Sequence, residues 1–214
     1  DMQVSQRATS ATGITGSGYY VCDRFKETGG LGTWTATQEA QTSGNAFLNG
    51  FRTAYRMDCT TAAASPGAGD LKLFVTYLEG QNLSMFKKGG ADAEIFTIAF
   101  WVKSTKTGDS QVNLVDKDNS RMCSAAYTIS SADTWEQKVL NFAADTTGAF
   151  DNDNARSLDI EFPLDGGSNF TSGAVPTAWE TTNNADRCVN NLGIADSTSD
   201  DWAITGIQLE VGTY

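Results

Sequence analysis

Apolar and polar residues alternate with a period of two along much of the chain, as in strands that bury one face. In residues 71–78, Leu71, Leu73, Val75 and Tyr77 form one apolar face. In 95–103, Phe96, Ile98, Phe100 and Val102 form one face, and Thr97, Ala99, Trp101 and Lys103 the other. In 157–164, Leu158, Ile160, Phe162 and Leu164 point one way, and Ser157, Asp159 and Glu161 the other. The last run, 202–211, sets Ala203, Ile207, Leu209 and Val211 on one face. Weaker strand patterns cover 18–25, 33–38, 51–59, 111–115, 121–129 and 134–142.

Turn-forming clusters separate these runs: 65–70 (Ser-Pro-Gly-Ala-Gly-Asp), 88–90 (Lys-Gly-Gly), 107–109 (Thr-Gly-Asp) and 165–168 (Asp-Gly-Gly-Ser). Helical periodicity is scarce. About ten short strands at this spacing predict an all-β fold with little helix, an antiparallel two-sheet β-sandwich or a barrel. No Pro/Ser-rich linker or internal repeat divides the chain. Residues 1–18 are polar and rich in Thr, Ser and Gly. They predict an N-terminal arm or linker ahead of one β domain spanning 19–214.

Composition narrows the chemistry. The 214 residues contain no histidine, which excludes a Ser-His-Asp triad, a Cys-His dyad and His-ligated zinc. The formal charge is -11, so a nucleic-acid partner, which needs a positive footprint, is not expected. A 40% hydrophobic content argues against a disordered chain, and no apolar run is long enough for membrane insertion. The first residues are polar and show no secretory apolar core, with upstream processing left open. Cys22, Cys59, Cys123 and Cys188 are scattered without a C-x-x-C pair. They read as four buried thiols, although two disulfides are compatible with the count.

A succession of motifs resembles a known family. It runs through 20–25 (Tyr-Val-Cys-Asp-Arg-Phe), 32–38 (Gly-Thr-Trp-Thr-Ala-Thr-Gln), 96–108 with Ala99-Phe100-Trp101-Val102-Lys103-Ser104, 127–136, 145–148 and 202–212. This order, over roughly 19–212, resembles the jelly-roll domain of tail-fibre and other virion proteins of marine and cyanobacterial bacteriophages, itself similar to a carbohydrate-binding module. The resemblance implies two antiparallel sheets displayed on a trimeric appendage of a virus particle. It implies other copies of the chain and other virion proteins as partners, with attachment to host-surface polysaccharide as a further role. It implies no catalysis. The expected location is the virion, assembled in the host cytoplasm and exposed on the particle surface. Residues 51–80 match the family less closely, so no sugar-binding surface transfers. A carbohydrate-binding module of a glycan-active enzyme is the alternative.

Sugar binding needs flat aromatic faces beside polar groups. Trp34 sits among threonines, Trp101 lies out of phase with the apolar face of its strand, and Tyr77, Trp135 and Trp179 are further options. Carbohydrate-binding jelly rolls commonly hold a structural calcium. The hard-oxygen candidates here are Asp116 and Asp118 in 116–119, and Asp151 and Asp153 in 151–154. Neither segment fits an EF-hand, and both read equally as solvated turns. Asp159 and Glu161 share one strand face at a spacing compatible with glycoside hydrolysis, but two acids there are ordinarily a solvated face. No phosphate-loop motif occurs.

Overall fold

The computed structural model describes residues 1–213. Its strands, in chain order, are β1 (Ser10–Ile14), β2 (Phe25–Thr28), β3 (Thr33–Ala40), β4 (Thr53–Thr61), β5 (Leu71–Glu79) and β6 (Phe96–Ser104), followed by β7 (Gly108–Asp116), β8 (Arg121–Ile129), β9 (Glu136–Phe142), β10 (Arg156–Gly166), β11 (Glu180–Thr181) and β12 (Asp201–Val211). Two short helices, α1 (Gly44–Leu48) and α2 (Ser168–Thr171), lie in connections. Among the described residues no helix is long and apolar enough to cross a membrane.

The strands form two six-stranded sheets with antiparallel pairing, the all-β sandwich that the alternation predicts. Sheet A orders β1-β3-β4-β12-β6-β9 and sheet B orders β11-β8-β7-β10-β5-β2. The chain passes repeatedly from one sheet to the other, as in a jelly roll. Strands distant in sequence therefore become neighbours, with β12 lying between β4 and β6.

The two sheets meet over alternate side chains. Sheet A contributes Trp34, Tyr55, Phe100 and Trp202, and sheet B contributes Phe74, Leu114 and Phe162. Phe74 is central, its ring centroid 4.9 Å from Tyr55, 5.4 Å from Trp202 and 6.1 Å from Phe162. Burying each such side chain contributes about 1.5–3 kcal/mol. The four cysteines are buried free thiols, packed as small hydrophobes.

Three details differ from the sequence expectation. Residues 1–18 are neither arm nor linker. Strand β1 is the edge of sheet A, with Ser10 opposite Thr37 and Ile14 opposite Trp34. Met2 and Ile14 join the core at 3% exposure. Such an edge strand buries so few side chains that its Thr/Ser/Gly composition hides it. The second difference is the phase of β5. Phe74, cross-strand from Phe162, faces the core, and Lys72 does the same, while Leu73 and Val75 face away. Leu73 and Val75 are nevertheless buried, so β5 lacks the polar-to-apolar contrast that fixes phase. Third, β12 has an irregular register between Thr205 and Gln208, at Gly206 with φ +64. A Cβ there would lie 2.7 Å from the Phe51 ring. This bulge puts Ala203 outside and Ile207 against the core, although the sequence placed them on one face.

Residues 186–190 lie over part of the outer face of sheet B. Pro176 O accepts from Ser124 N at 2.6 Å. Asp186 O accepts from Gln111 Nε2 at 2.9 Å, and Arg187 O accepts from Asn113 Nδ2 at 2.8 Å. Gln111 and Asn113 are thereby buried and satisfied, as buried polar groups require.

Candidate functional site

The three aromatics singled out from the sequence fall in three environments. Trp34 is a core residue at 0% exposure, with Nε1–H donating to Leu31 O at 2.6 Å. It offers no face to an external sugar. Tyr77 lies opposite Asp159 on the outer face of sheet B, with the Arg156 guanidinium 3.6 Å from its ring centroid. Burial, countered by Arg156, pushes its hydroxyl above the ordinary tyrosine range. Trp101 lies on the outer face of sheet A at 9% exposure, packed with Ala46, Ala54, Trp135, Ala203 and Phe51. Tyr77 and Trp101 thus sit on opposite outer faces, and no surface gathers the three.

The outer face of sheet A carries a groove. Strand β6 presents Trp101 and Lys103 there, β4 presents Arg56 and β3 presents Glu39, with Ala203 paired to both Lys103 and Arg56. The loop after β3, α1 and the turn before β9 rise at one end of this face. Between them lies a groove of about 460 Å³ lined by residues including Glu39, Gln41, Asn45, Lys103, Asp133 and Trp135. One hydrogen-bond chain sets its walls. Trp135 Nε1 donates to Gln41 Oε1 at 2.8 Å, and Gln41 Nε2 donates to Glu39 Oε2 at 2.8 Å. Asn45 Nδ2 donates to Trp135 O at 3.2 Å, and the Lys103 ammonium sits 5.5 Å from the Trp135 ring centroid.

Carboxylates outnumber cations around this groove. Arg56 contacts Asp58 at 2.6 Å, Asp201 at 2.9 Å and Glu39 at 3.5 Å, and Lys103 contacts Glu39 at 3.8 Å. Burial pushes the Asp58 carboxyl up, Arg56 opposes this, and the neighbouring Asp201 and Glu39 leave it above its usual range. A second, shallow depression on the same face lies between Thr97, Gln137, Gln208 and Glu210.

Asp159 and Glu161 are not a solvated face. Both are buried, and each is held by one arginine: Asp159 by both Arg156 Nε and Nη2, Glu161 by Arg187 at 2.6 and 3.1 Å. Burial dominates at Asp159 and leaves its carboxyl above the usual range despite Arg156.

The expected calcium ligands do not converge either. Asp118 Oδ2 accepts from Asp151 N at 3.0 Å, and Asp153 Oδ1 accepts from Ala155 N at 2.9 Å, as turn carboxylates do. Asp116 Oδ1 accepts from the backbone of Asp118 and Asn119, while its Oδ2 lies 2.5 Å from Lys88 Nζ. Asp116, Asp118 and Asp153 thus each give a carboxylate oxygen to a nearby donor. Among the described residues no group of three or more His, Cys, Asp or Glu is placed to hold a metal ion.

No protein-family model matches the chain, and no curated protein matches it. Solved structures of similar fold exist at low identity. The enzymatically active domain of tailspike protein 4 from bacteriophage CBA120 is 14% identical with a TM-score of 0.46, covering 88% of this chain and 19% of that one. The family 11 carbohydrate-binding module from Clostridium thermocellum, in complex with a β-1,3-1,4-mixed-linked tetrasaccharide, is 11% identical with a TM-score of 0.42, covering 95% of this chain and 96% of that one. An exo-β-agarase is 8% identical with a TM-score of 0.46, and the chain spans 25% of its length. The chain likewise spans about a fifth of the tailspike chain.

Proposed function

We propose that this chain is a non-catalytic glycan-recognition module of a virion surface protein, and that it reads a neutral glycan in the groove beside Trp135. The observation that carries this reading is the groove itself. It has the size of a small-ligand site, and amide, hydroxyl and carboxylate groups from separate chain segments converge there beside the edge of Trp135, which is 5% exposed. A polyol offers the matching donors and acceptors. The opposite outer face supports the choice, because Gln111, Asn113 and Glu161 there are already paired with Asp186 and Arg187, and Asp159 with Arg156. The excess of carboxylates over Arg56 and Lys103 disfavours uronate and sulfate groups. The arginine pairs on Asp159 and Glu161 favour a non-catalytic reading, since neither carboxyl is free to trade protons with a substrate. Display on a particle and self-association rest on the sequence resemblance.

A glycan array carrying neutral and sulfated glycans tests the proposal. Neutral glycans are expected to bind, and Trp135→Ala is expected to weaken binding at least about tenfold, or about 1.4 kcal/mol. Binding left unchanged by Trp135→Ala would remove the groove from the proposal, and an array without binders would remove glycan recognition. Sedimentation at micromolar concentration and imaging of purified particles test the virion role. A protein that is monomeric and absent from particles would instead be a free module.

A further inference from the structure

The loop cluster at the Asp116 end of β7 contains a cation, and it belongs to the chain. Lys88 Nζ lies 2.5 Å from Asp116 Oδ2 and 3.0 Å from Asp145 Oδ2. It also donates to Gly148 O at 2.7 Å and Thr147 O at 3.2 Å. The side chains of Lys88 and Asp116 are 0% exposed, and that of Asp145 is 4% exposed. Phe150 and Trp179 present their rings 5.1 and 4.9 Å from the ammonium. Two carboxylates and two backbone carbonyls are the donor set of a hard divalent cation. A lysine next to a loop ordinarily sends its head group to water. Here two separate segments, the end of β7 and the 145–148 loop, turn oxygens toward it instead.

We propose that the Lys88 ammonium is a built-in cation occupying a site of divalent-ion type, and that truncating Lys88 opens this site to a free hard cation such as Ca²⁺. The cage is preorganised apart from the lysine. Arg121 holds Asp145 with contacts of 2.7 and 3.0 Å, and Asn119 Nδ2 donates to Asp116 Oδ2 at 3.0 Å. Burial alone pushes the Asp145 carboxyl up, but its bonds to Arg121, Lys88 and Thr147 N outweigh this and hold it below its usual range. Arg121 and Asn119 therefore still hold both oxygen-bearing segments when the ammonium is removed. Tethering the cation makes the loop cluster independent of the metal supply.

Thermal unfolding of the full chain in EDTA and in about 10 mM CaCl₂, above the weak end of natural Ca²⁺ sites, tests this. The wild-type midpoint is expected to be the same in both. Lys88→Ala is expected to fall by about 10 °C in EDTA, the loss typical of a buried ion pair with one partner removed. CaCl₂ is then expected to restore at least half of that loss, whereas NaCl of equal ionic strength does not. Adding Asp116→Asn is expected to abolish the rescue. If Lys88→Ala does not fold in EDTA, its refolding yield with and without CaCl₂ gives the same reading. A wild type stabilised by CaCl₂, a Lys88→Ala chain as stable as wild type, or a defect that Ca²⁺ does not repair overturns the proposal.

Discussion

Replacing Glu27 by Gln isolates one charge in the middle of the sandwich. Glu27 and Lys72 have 0% side-chain exposure and meet at 2.8 Å. The Tyr55 hydroxyl donates to the other Glu27 oxygen at 2.9 Å, and the ammonium sits 5.2 Å from the Trp34 ring centroid. Glu27→Gln keeps volume and shape but leaves Lys72 without a counter-charge in a dry interior. Breaking a buried pair from one side costs about 3–5 kcal/mol. For a domain of this size that corresponds to a midpoint lower by about 10 °C. Removing both charges, with Glu27→Leu and Lys72→Met, leaves no orphan ion and should recover most of the loss. In a cycle built from Glu27→Leu, Lys72→Met and the double variant, the two sites should therefore couple by about 2 kcal/mol or more. Urea unfolding followed by tryptophan fluorescence measures every corner of the cycle. A Glu27→Gln chain within about 1 kcal/mol of wild type, or additive single effects, would refute this account of the pair.

Other outcomes follow from the same structure. Burial pushes the Cys22 and Cys188 thiols up to about 12 and Cys123 to about 11, against 9.0 when unperturbed. The folded chain then keeps protons that the unfolded chain releases, so stability should be full below pH 9 and fall as pH rises from 9 toward 11. Burial lowers the pKa of Lys72, which works in the opposite sense just below 10.5, but burial raises the Cys59 thiol as well, so the thiols outnumber it. Urea midpoints across that window check this, and a constant or rising midpoint contradicts it. Gly206→Ala forces a Cβ to 2.7 Å from the Phe51 ring at a φ of +64, and should cost about 1–3 kcal/mol in chemical denaturation. Asp159→Asn removes the buried partner of Arg156 and should lower the thermal midpoint, while a reducing-sugar assay finds no hydrolysis in either chain. Glycan hydrolysis by the wild type that Asp159→Asn abolishes would reverse the non-catalytic reading.

The strands were legible where one face is polar and the other buried. Strand β8 spans Arg121–Ile129, the interval that its alternation marks, and β10 sends Leu158, Ile160, Phe162 and Leu164 inward as read. Legibility failed where that contrast disappears. Both faces of β5 are buried, so its apolar residues do not declare a side, and Lys72 in an interior row has no sequence signature. In β12 one glycine shifts the phase of everything after it. The candidate site was less legible than the fold. Trp135 was one option among several, and the groove joins residues near 39–45, 103 and 133–135 that share no local motif. Of the aspartates read as calcium ligands, Asp116 instead meets the Lys88 ammonium, which lies 28 positions away in what reads as a turn.

The two outer faces show why alternation cannot by itself locate a binding surface. Gln111, Asn113, Asp159 and Glu161 all point away from the core of sheet B, which from sequence reads as exposure to water. All four are buried, because amides take carbonyls of the covering segment and carboxylates take arginines. Such a face has spent its hydrogen-bonding capacity on the fold, and a ligand would have to displace those partners at the full cost of desolvated polar groups. On sheet A the covering element is only α1 with Phe51, which shelters Trp101 and stops short of Glu39, Lys103 and Asp133. Gln41 is spent there on Trp135 and Glu39, but Glu39, Lys103 and Asp133 still line an open groove. Arg56, shared among three carboxylates, has little positive potential left for an anion. A neutral hydroxyl-rich ligand asks only for hydrogen bonds that the groove still has to give.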